Sequence, residues 1–171
     1  LEQVKMTPDI DRRLLEMELY FNRSEDIELE ISIFYEGRLK KRITTEAGGR
    51  YVKEGILLEE EDKIDEIHYW SPDHPNLYDV RINVRKDGVR QDEVFSYFGM
   101  RRIHTANGHV FLNNRLFYQR LILDQGYWED TLLTPPSSEA LRRDVEFTKK
   151  MGFNGARKHQ KCEDPRYYYW A

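Results

Sequence analysis

Alternation of apolar and polar residues with a period of two is the feature that most limits how this chain can fold. Every second residue is apolar from residue 15 to 21, and the pattern recurs from residue 27 to 33. Successive side chains of a strand point to opposite faces of a sheet, so each run presents one apolar face to a core. From about residue 4 to residue 102 the sequence therefore predicts half-buried antiparallel strands.

Turn signals divide this region. Glu36-Gly37 precedes a lysine-rich run, which predicts a hairpin leading into an exposed edge strand. Asp87-Gly88 is a dipeptide that tolerates positive φ and predicts a second hairpin. Further strands are predicted at residues 64–69, 78–85 and 92–103, whereas residues 45–62 give no firm strand prediction. About seven short strands in roughly 100 residues are typical of a β-sandwich.

After residue 103 the pattern changes. A tight hairpin is predicted at 110–117, a strand at 118–123, a helix capped by Ser138 and ended by Gly152, and a second strand at 153–156. Pro165 suits the first turn of another helix. This order is typical of a parallel α/β sheet, which needs cover on both faces. We expect one complete domain, residues 1–104, and the start of a second, residues 105–171.

Polar residues at the ends of the two predicted parallel strands form a candidate site, because ligands bind at the carboxyl edge of such sheets. Arg157 suits a carboxylate, His159 suits hydrogen bonding or proton transfer, and Trp128 suits stacking on a sugar ring. The alternative is that these polar residues only face solvent. The candidate residues are Asp124, Gln125, Trp128, Arg157, His159 and Gln160.

Other acidic pairs are interpreted as structural. Sequence neighbours such as Glu129-Asp130 and Glu163-Asp164 do not establish the separation of about 5–10 Å that glycoside hydrolysis requires. Glu129-Asp130 is interpreted as a solvated loop, and Glu163-Asp164 as a helix N-terminus, where acids suit the helix dipole. The aromatic run at residues 167–170 is interpreted mainly as packing.

Composition excludes several classes of function. The 27 basic residues are scattered among 31 acidic ones, with a net charge of −4, which argues against a nucleic-acid partner. The histidines lie at no metal-ligand spacing, and Cys162 is the single cysteine, so we predict no metal, no cofactor and no disulfide. No apolar run reaches the ~18–20 residues of a membrane helix, which predicts a soluble domain. The compartment stays open, and an export signal further upstream would make a periplasmic or secreted parent compatible with this sequence.

Five segments in a fixed order resemble family 2 of the glycoside hydrolases, which contains β-galactosidases, β-glucuronidases and β-mannosidases. The segments are W-S-P-D-H-P-N-L-Y at 70–78, F-G-M-R-R-I at 98–103, F-L-N-N-R-L-F at 111–117, residues 142–157, and Y-Y-Y-W-A at 167–171. The resemblance implies a mainly β fold, in which an immunoglobulin-like β-sandwich leads into an incomplete (β/α) TIM-barrel start. It also implies a retaining enzyme for terminal β-linked sugars, with a carbohydrate as the substrate of the parent protein.

The resemblance also assigns roles and predicts inactivity. The family's two catalytic glutamates lie on later barrel strands, so we expect this chain to lack both and to be inactive alone. Arg157 corresponds to the arginine that supports the nucleophile carboxylate. Whether His159 or Gln160 takes the role of the family's sugar-contacting histidine stays open. Asp124-Gln125 stands where the family commonly has an arginine-histidine pair, so the sugar is not inferred.

A competing hypothesis is a stand-alone β-sandwich module that binds carbohydrate or protein, with the remaining residues as an appended hairpin and helix. Under the enzyme-fragment hypothesis, two parallel strands without neighbours leave backbone edges unpaired. Such edges pair readily with another chain, so we expect self-association of the fragment or else disorder beyond Gly126.

Overall fold

The computed structural model of the chain describes residues 1–58 and 67–171, and these residues are mainly β. Seven strands precede residue 100 in the described ranges, and the bounds of the second, third and sixth agree to within two residues with the predicted runs at 15–21, 27–33 and 78–85. They are β1 (Gln3–Asp9), β2 (Leu14–Tyr20), β3 (Ile27–Tyr35), β4 (Arg38–Ala47), β5 (Tyr51–Leu57), β6 (Tyr78–Lys86) and β7 (Val89–Phe98).

These strands form two antiparallel sheets, with the orders β1-β2-β5 and β4-β3-β6-β7. One hydrophobic core contains residues of both sheets. Met17 of β2, Ile31 of β3 and Ile82 of β6 are completely or almost completely buried in it. Burial of a side chain of this size contributes about 1.5–3 kcal/mol relative to leaving it exposed.

The turns follow the predicted chemistry. Glu36-Gly37 and Asp87-Gly88 all have positive φ, between 49° and 76°, and each pair joins two adjacent strands. β4 lies at the edge of its sheet, as the lysine-rich run predicts. The segment without a firm strand prediction contains the end of β4 and all of β5. Within β5 only Ile56 is buried, so the apolar signal of this strand is weak.

Two strand predictions near residue 100 need correction. Residues 64–66 of the predicted strand at 64–69 lie outside the described residues, and Tyr69 forms only an isolated bridge to Met100. The predicted strand at 92–103 is divided between β7 and a short strand, β8 (Ile103–Ala106). The division falls where the chain passes close to Trp70, since a Cβ at Gly99 would lie 3.1 Å from the Trp70 Cβ.

The predicted hairpin at 110–117 consists of β9 (His109–Leu112) and β10 (Arg115–Leu116), which share a small sheet with β8. Asn113 and Asn114 both have positive φ at its turn. The chain divides into two compact units at this hairpin. The first unit contains Leu1–Asn107 and Phe111–Arg115, and the second unit contains Gly108–Val110 and Leu116–Ala171.

The second unit contains β11 (Leu121–Asp124), α1 (Ser138–Lys150), β12 (Gly155–Lys158) and α2 (Pro165–Trp170). β11 and β12 are parallel, as predicted, but both begin two or three residues later than expected. The Asn154 side chain explains the delay, because it donates to the Tyr118 carbonyl at 2.9 Å and accepts from the Arg120 amide at 2.7 Å. These bonds replace the start of the strand ladder.

Both helices of the second unit have side-chain caps. Ser137, rather than the predicted Ser138, caps α1 by accepting from the Ala140 amide at 3.0 Å. Leu141 is the buried residue of this helix. Asp164 caps α2 immediately before Pro165. Within residues 1–58 and 67–171, no helix is long and apolar enough to cross a membrane.

Candidate functional site

The carboxyl ends of β11 and β12 bring three of the predicted site residues together. The His159 amide donates to the Asp124 carbonyl at 2.8 Å, which extends the strand pairing one residue beyond β12. The Gln125 Nε2 lies 3.4 Å from the His159 Nδ1. Asp124, Gln125 and His159 therefore form one contiguous polar edge, although Asp124 is the last residue of β11 and does not follow it.

The other three candidates lie nearby in sequence, and none joins this group through a side-chain hydrogen bond or ion pair among the described residues. Arg157 is exposed within β12, paired in register with Leu123, and does not follow the strand as predicted. Gln160 is exposed and has a φ of 58°. Trp128 is half-buried in a loop, where its backbone exchanges two hydrogen bonds with Leu132. Its indole Nε1 is buried and has no hydrogen-bond partner among the described residues.

A buried cluster of charged residues accompanies this edge. The Lys158 ammonium contacts the Asp124 carboxylate and lies 2.9 Å from the Glu163 Oε2. The Lys161 Nζ lies 3.1 Å from the other Glu163 oxygen. The Glu163 side chain is 2% exposed and the Lys158 side chain 10%. We call Asp124, Lys158, Lys161 and Glu163 the charge cluster.

The cluster perturbs the pKa values of its members and neighbours. Burial lowers the pKa of Lys158, but hydrogen bonds to Asp124 and Glu163 outweigh it and leave that pKa raised. Burial raises the pKa of Glu163, but hydrogen bonds from Lys158 and the Asp164 amide outweigh this effect and leave that pKa lowered. Burial and the Asp124 charge raise the pKa of Asp144. Burial raises the pKa of Tyr167 to about 12. Its ring lies 3.9 Å from the Lys158 Nζ, a cation–π contact.

Gly126 makes room for the cluster. It has a φ of 64°, and its amide donates to the Asp124 Oδ1 at 2.8 Å. A Cβ at this position would lie 2.6 Å from the Glu163 Oε2 and 2.8 Å from the Lys161 Nζ. Any side chain at residue 126 would therefore collide with the ion pair and also strain the backbone.

Sequence reasoning missed this cluster because lysine and glutamate are usually solvated. Glu163 lies directly before the helix N-terminus predicted there, but its carboxylate is buried between two ammonium groups. Asp164, by contrast, does cap a helix. One available signal was the strand period, which places Lys158 on the face opposite Arg157 and His159. Of the aromatic run, Tyr167 is buried, while Tyr168 and Tyr169 are exposed.

An open cleft of about 440 Å³ lies beside the charge cluster, between β11 and α1. Its lining combines carboxylates with apolar side chains, including Ile122, Asp124, Asp144, Phe147 and Met151. In the part of the chain that the structure describes, no group of three histidine, cysteine or acidic side chains could hold a metal ion. The cleft and the polar edge together offer hydrogen-bonding groups and no metal-ligand set within that part.

The chain is similar in sequence to several known proteins. The sequence model described as "Glycosyl hydrolases family 2" matches residues 1–101. A β-galactosidase of Leuconostoc mesenteroides is 23% identical over 97% of this chain and 16% of its own length. A β-glucuronidase of Streptococcus agalactiae is 29% identical over 55% of this chain and 16% of its own length. The chain thus matches about a sixth of the length of either relative.

Solved structures give the same picture of the fold. The Parabacteroides merdae β-glucuronidase aligns with a TM-score of 0.79 at 16% identity, over 99% of this chain and 22% of that one. A glycosyl hydrolase family 2 member from Bacteroides cellulosilyticus aligns with a TM-score of 0.72 at 18% identity, over 98% of this chain and 24% of that one. At these identities the similarity shows the fold alone.

Proposed function

Because this chain belongs to family 2 of the glycosyl hydrolases, we propose that it is part of a retaining glycosidase that hydrolyses terminal β-linked sugars. The observation that carries the proposal is the family match over residues 1–101. The β-galactosidase relative extends the similarity over 97% of the chain and so includes the candidate site. Since the chain matches only 16% of that relative, activity belongs to the parent protein.

The two domains are part of the same proposal. Residues 1–104 form the immunoglobulin-like β-sandwich, supported by two antiparallel sheets around one core. Residues 105–171 form the first strands and helix of a TIM barrel, supported by the parallel pairing of β11 with β12 and by α1 between them. Catalytic groups of such barrels lie at the carboxyl ends of the strands, which is where the candidate site lies.

Within the site, the proposal gives each residue a role. Arg157 orients and keeps ionised the carboxylate nucleophile of a later strand, because its guanidinium is exposed and has no ion pair among the described residues. Gln125 and His159 hydrogen-bond the sugar as a pair, with Gln160 and Trp128 at the periphery. Asp124 supports the strand ends, since Lys158 and the Gly126 amide occupy its carboxylate.

An activity comparison tests the proposal. We expect the full-length parent to cleave at least one member of a panel of nitrophenyl β-glycosides and the 171-residue chain to cleave none. Enzyme-like turnover by the 171-residue chain would contradict its assignment as a fragment. An inactive parent, combined with carbohydrate binding by the isolated first unit, would favour a binding module instead.

Substitution of Arg157 tests its role. In the parent, Arg157→Ala should lower kcat by about 100-fold, since a preorganised charged partner of a reacting group contributes on this scale. Arg115→Ala is the matched control, because Arg115 is also exposed and forms no ion pair among the described residues. Equal kcat values for the two variants would remove Arg157 from the mechanism.

Self-association of the 171-residue chain is a further part of the proposal. In the described residues β11 and β12 pair only with each other, so each strand leaves one backbone edge unpaired. Sedimentation velocity should show concentration-dependent association, which Leu123→Lys should weaken by placing a charge on an exposed strand residue. A monomer at all concentrations would contradict this expectation.

A further inference from the structure

We infer that Lys158 is a positioning residue, which holds Gln125 and His159 at a fixed separation by locking together the two strand ends from the opposite face of the sheet. The inference deepens the proposed function and rests on it for the meaning of the positioned residues. The local geometry that carries it, however, belongs to the second unit alone.

The register of the two strands places Lys158 for this role. It pairs with Asp124 across the parallel ladder. Because side chains alternate along a strand, Lys158 points away from the face shared by its neighbours Arg157 and His159. Its ammonium meets the Tyr167 ring of α2 at 3.9 Å, on the helix side of the sheet. Lys158 therefore lies on the opposite face of the sheet from His159 and does not contact a ligand bound beside that histidine.

Asp124 connects Lys158 to both positioned residues. Its Oδ1 accepts from the Gly126 amide at 2.8 Å, which fixes the turn that carries Gln125. Its carbonyl accepts from the His159 amide at 2.8 Å, which fixes the backbone of the histidine. The ion pair with Lys158 holds the same Asp124 in place. Loss of Lys158 would release one residue that anchors both sides of the edge.

Glu163 adds a second set of contacts that hold the segment after β12 in place. Its carboxylate bridges Lys158 at 2.9 Å and Lys161 at 3.1 Å. Lys161 in turn donates to the carbonyls of Gly126 and Leu133, at 3.3 and 3.2 Å. The segment that contains His159 is thereby held at residues 158 and 163, and Lys161 ties it to the loop after β11. Two cations balance two carboxylates, so the cluster can be buried with its charges paired.

The test compares Lys158→Met and Lys158→Arg, with Lys150→Met as the control, since Lys150 is an exposed lysine of the same unit that also lies over an aromatic ring. In the 171-residue chain, NMR hydrogen exchange of the His159 amide should accelerate at least 10-fold in Lys158→Met and stay near the original rate in Lys158→Arg. Should Lys158→Met fail to fold, Glu163→Gln replaces it, because this substitution keeps the shape of the side chain. The His159 amide should then show the same acceleration of exchange.

In the full-length parent, kcat per folded molecule should fall about 10- to 100-fold in Lys158→Met, with a smaller change in KM, because misplaced groups lose their alignment with the transition state. Lys158→Arg should restore most of the kcat. A lower melting temperature with unchanged exchange at His159 and unchanged kcat would overturn the inference. Accelerated exchange in a parent without glycosidase activity would overturn the proposed function and leave the positioning role intact.

Discussion

The two units of this chain differ in the kind of side chain that they bury. In the first unit, two antiparallel sheets enclose one apolar core, in which Met17, Ile31 and Ile82 are almost inaccessible to water. In the second unit, β11 and β12 pair only with each other among the described strands, and the buried residues include Glu163 as well as Leu141 and Tyr167. One unit is stabilised by apolar area, whereas the other depends on a balanced set of charges.

This difference predicts different responses to mutation and pH. Apolar burial is insensitive to protonation and scales with the area removed from water. A buried ion pair is strongly destabilising only when one partner is removed, because the remaining charge stays desolvated. Substitutions in the two units should therefore affect separate transitions and separate pH ranges.

The largest effect is expected from Ile31→Ala. Ile31 lies in the middle of β3, opposite Ile43 of β4 and Ile82 of β6, and removal of its side chain leaves a cavity. The free energy of unfolding of the first unit should fall by about 4 kcal/mol. Hydrogen exchange resolved by residue should show faster exchange in β3 and unchanged exchange in β12.

The control for Ile31→Ala is Phe95→Ala, which removes an exposed side chain from β7 of the same sheet. It should change the stability by about 0.5 kcal/mol or less. Equal acceleration of exchange in β3 and β12 by Ile31→Ala would mean that the units unfold together, and the comparison between them would fail.

Glu163→Gln should destabilise the second unit by about 3 kcal/mol at neutral pH, because Lys158 and Lys161 lose a buried counter-charge. The folded pKa of Glu163 lies below its ordinary value. Its contribution is therefore complete above the unfolded pKa and is lost as the pH falls through the folded pKa. Denaturant unfolding at several pH values should show a deficit that shrinks in acid.

Glu139→Gln provides the matched control, since Glu139 is an exposed carboxylate in the first turn of α1 and lies 3.9 Å from Arg142. A surface pair of this kind contributes at most about 1 kcal/mol. Similar losses in the two glutamate variants would indicate that the Glu163 carboxylate is not desolvated in solution.

Gly126→Ala should cost the second unit about 2 kcal/mol, because it combines positive φ with a collision against Glu163 and Lys161. Gly152→Ala separates these causes. Gly152 also has positive φ, but no atom lies within 4 Å of a Cβ built there. It should therefore show only the strain of about 1 kcal/mol. Equal melting temperatures for the two variants would exclude the collision.

Much of the first unit could be predicted because its signals are local. The period of two in β2 and β3, and the turn residues Glu36-Gly37 and Asp87-Gly88, act over a few neighbours. The grouping of Asp124, Gln125 and His159 at one edge also follows from the order of the elements, since parallel strands end on the same side.

The charge cluster could not be predicted in this way, because it depends on register between distant residues. Asp124 meets Lys158 because the parallel register pairs Leu121 with Gly155 and so places these two residues opposite each other at the end of the ladder. Three-dimensional pairing, rather than residue type, decides that these groups are buried.

The smallest effect is expected from Asp144→Asn, which should raise the stability, whereas the other substitutions lower it. Burial and the nearby Asp124 carboxylate raise the folded pKa of Asp144. A raised carboxyl pKa gives a stabilising contribution below the unfolded pKa that is lost as the pH rises through the folded pKa. At neutral pH the ionised Asp144 therefore opposes folding, and Asp144→Asn should stabilise the second unit by about 0.5 kcal/mol.

Thermal unfolding of Asp144→Asn should show this gain at pH 7 and none in acid. The control, Asp130→Asn in the exposed loop, should show no gain at either pH. A loss of stability at pH 7 would mean that Lys158 compensates three carboxylates, and the charge cluster would then include Asp144.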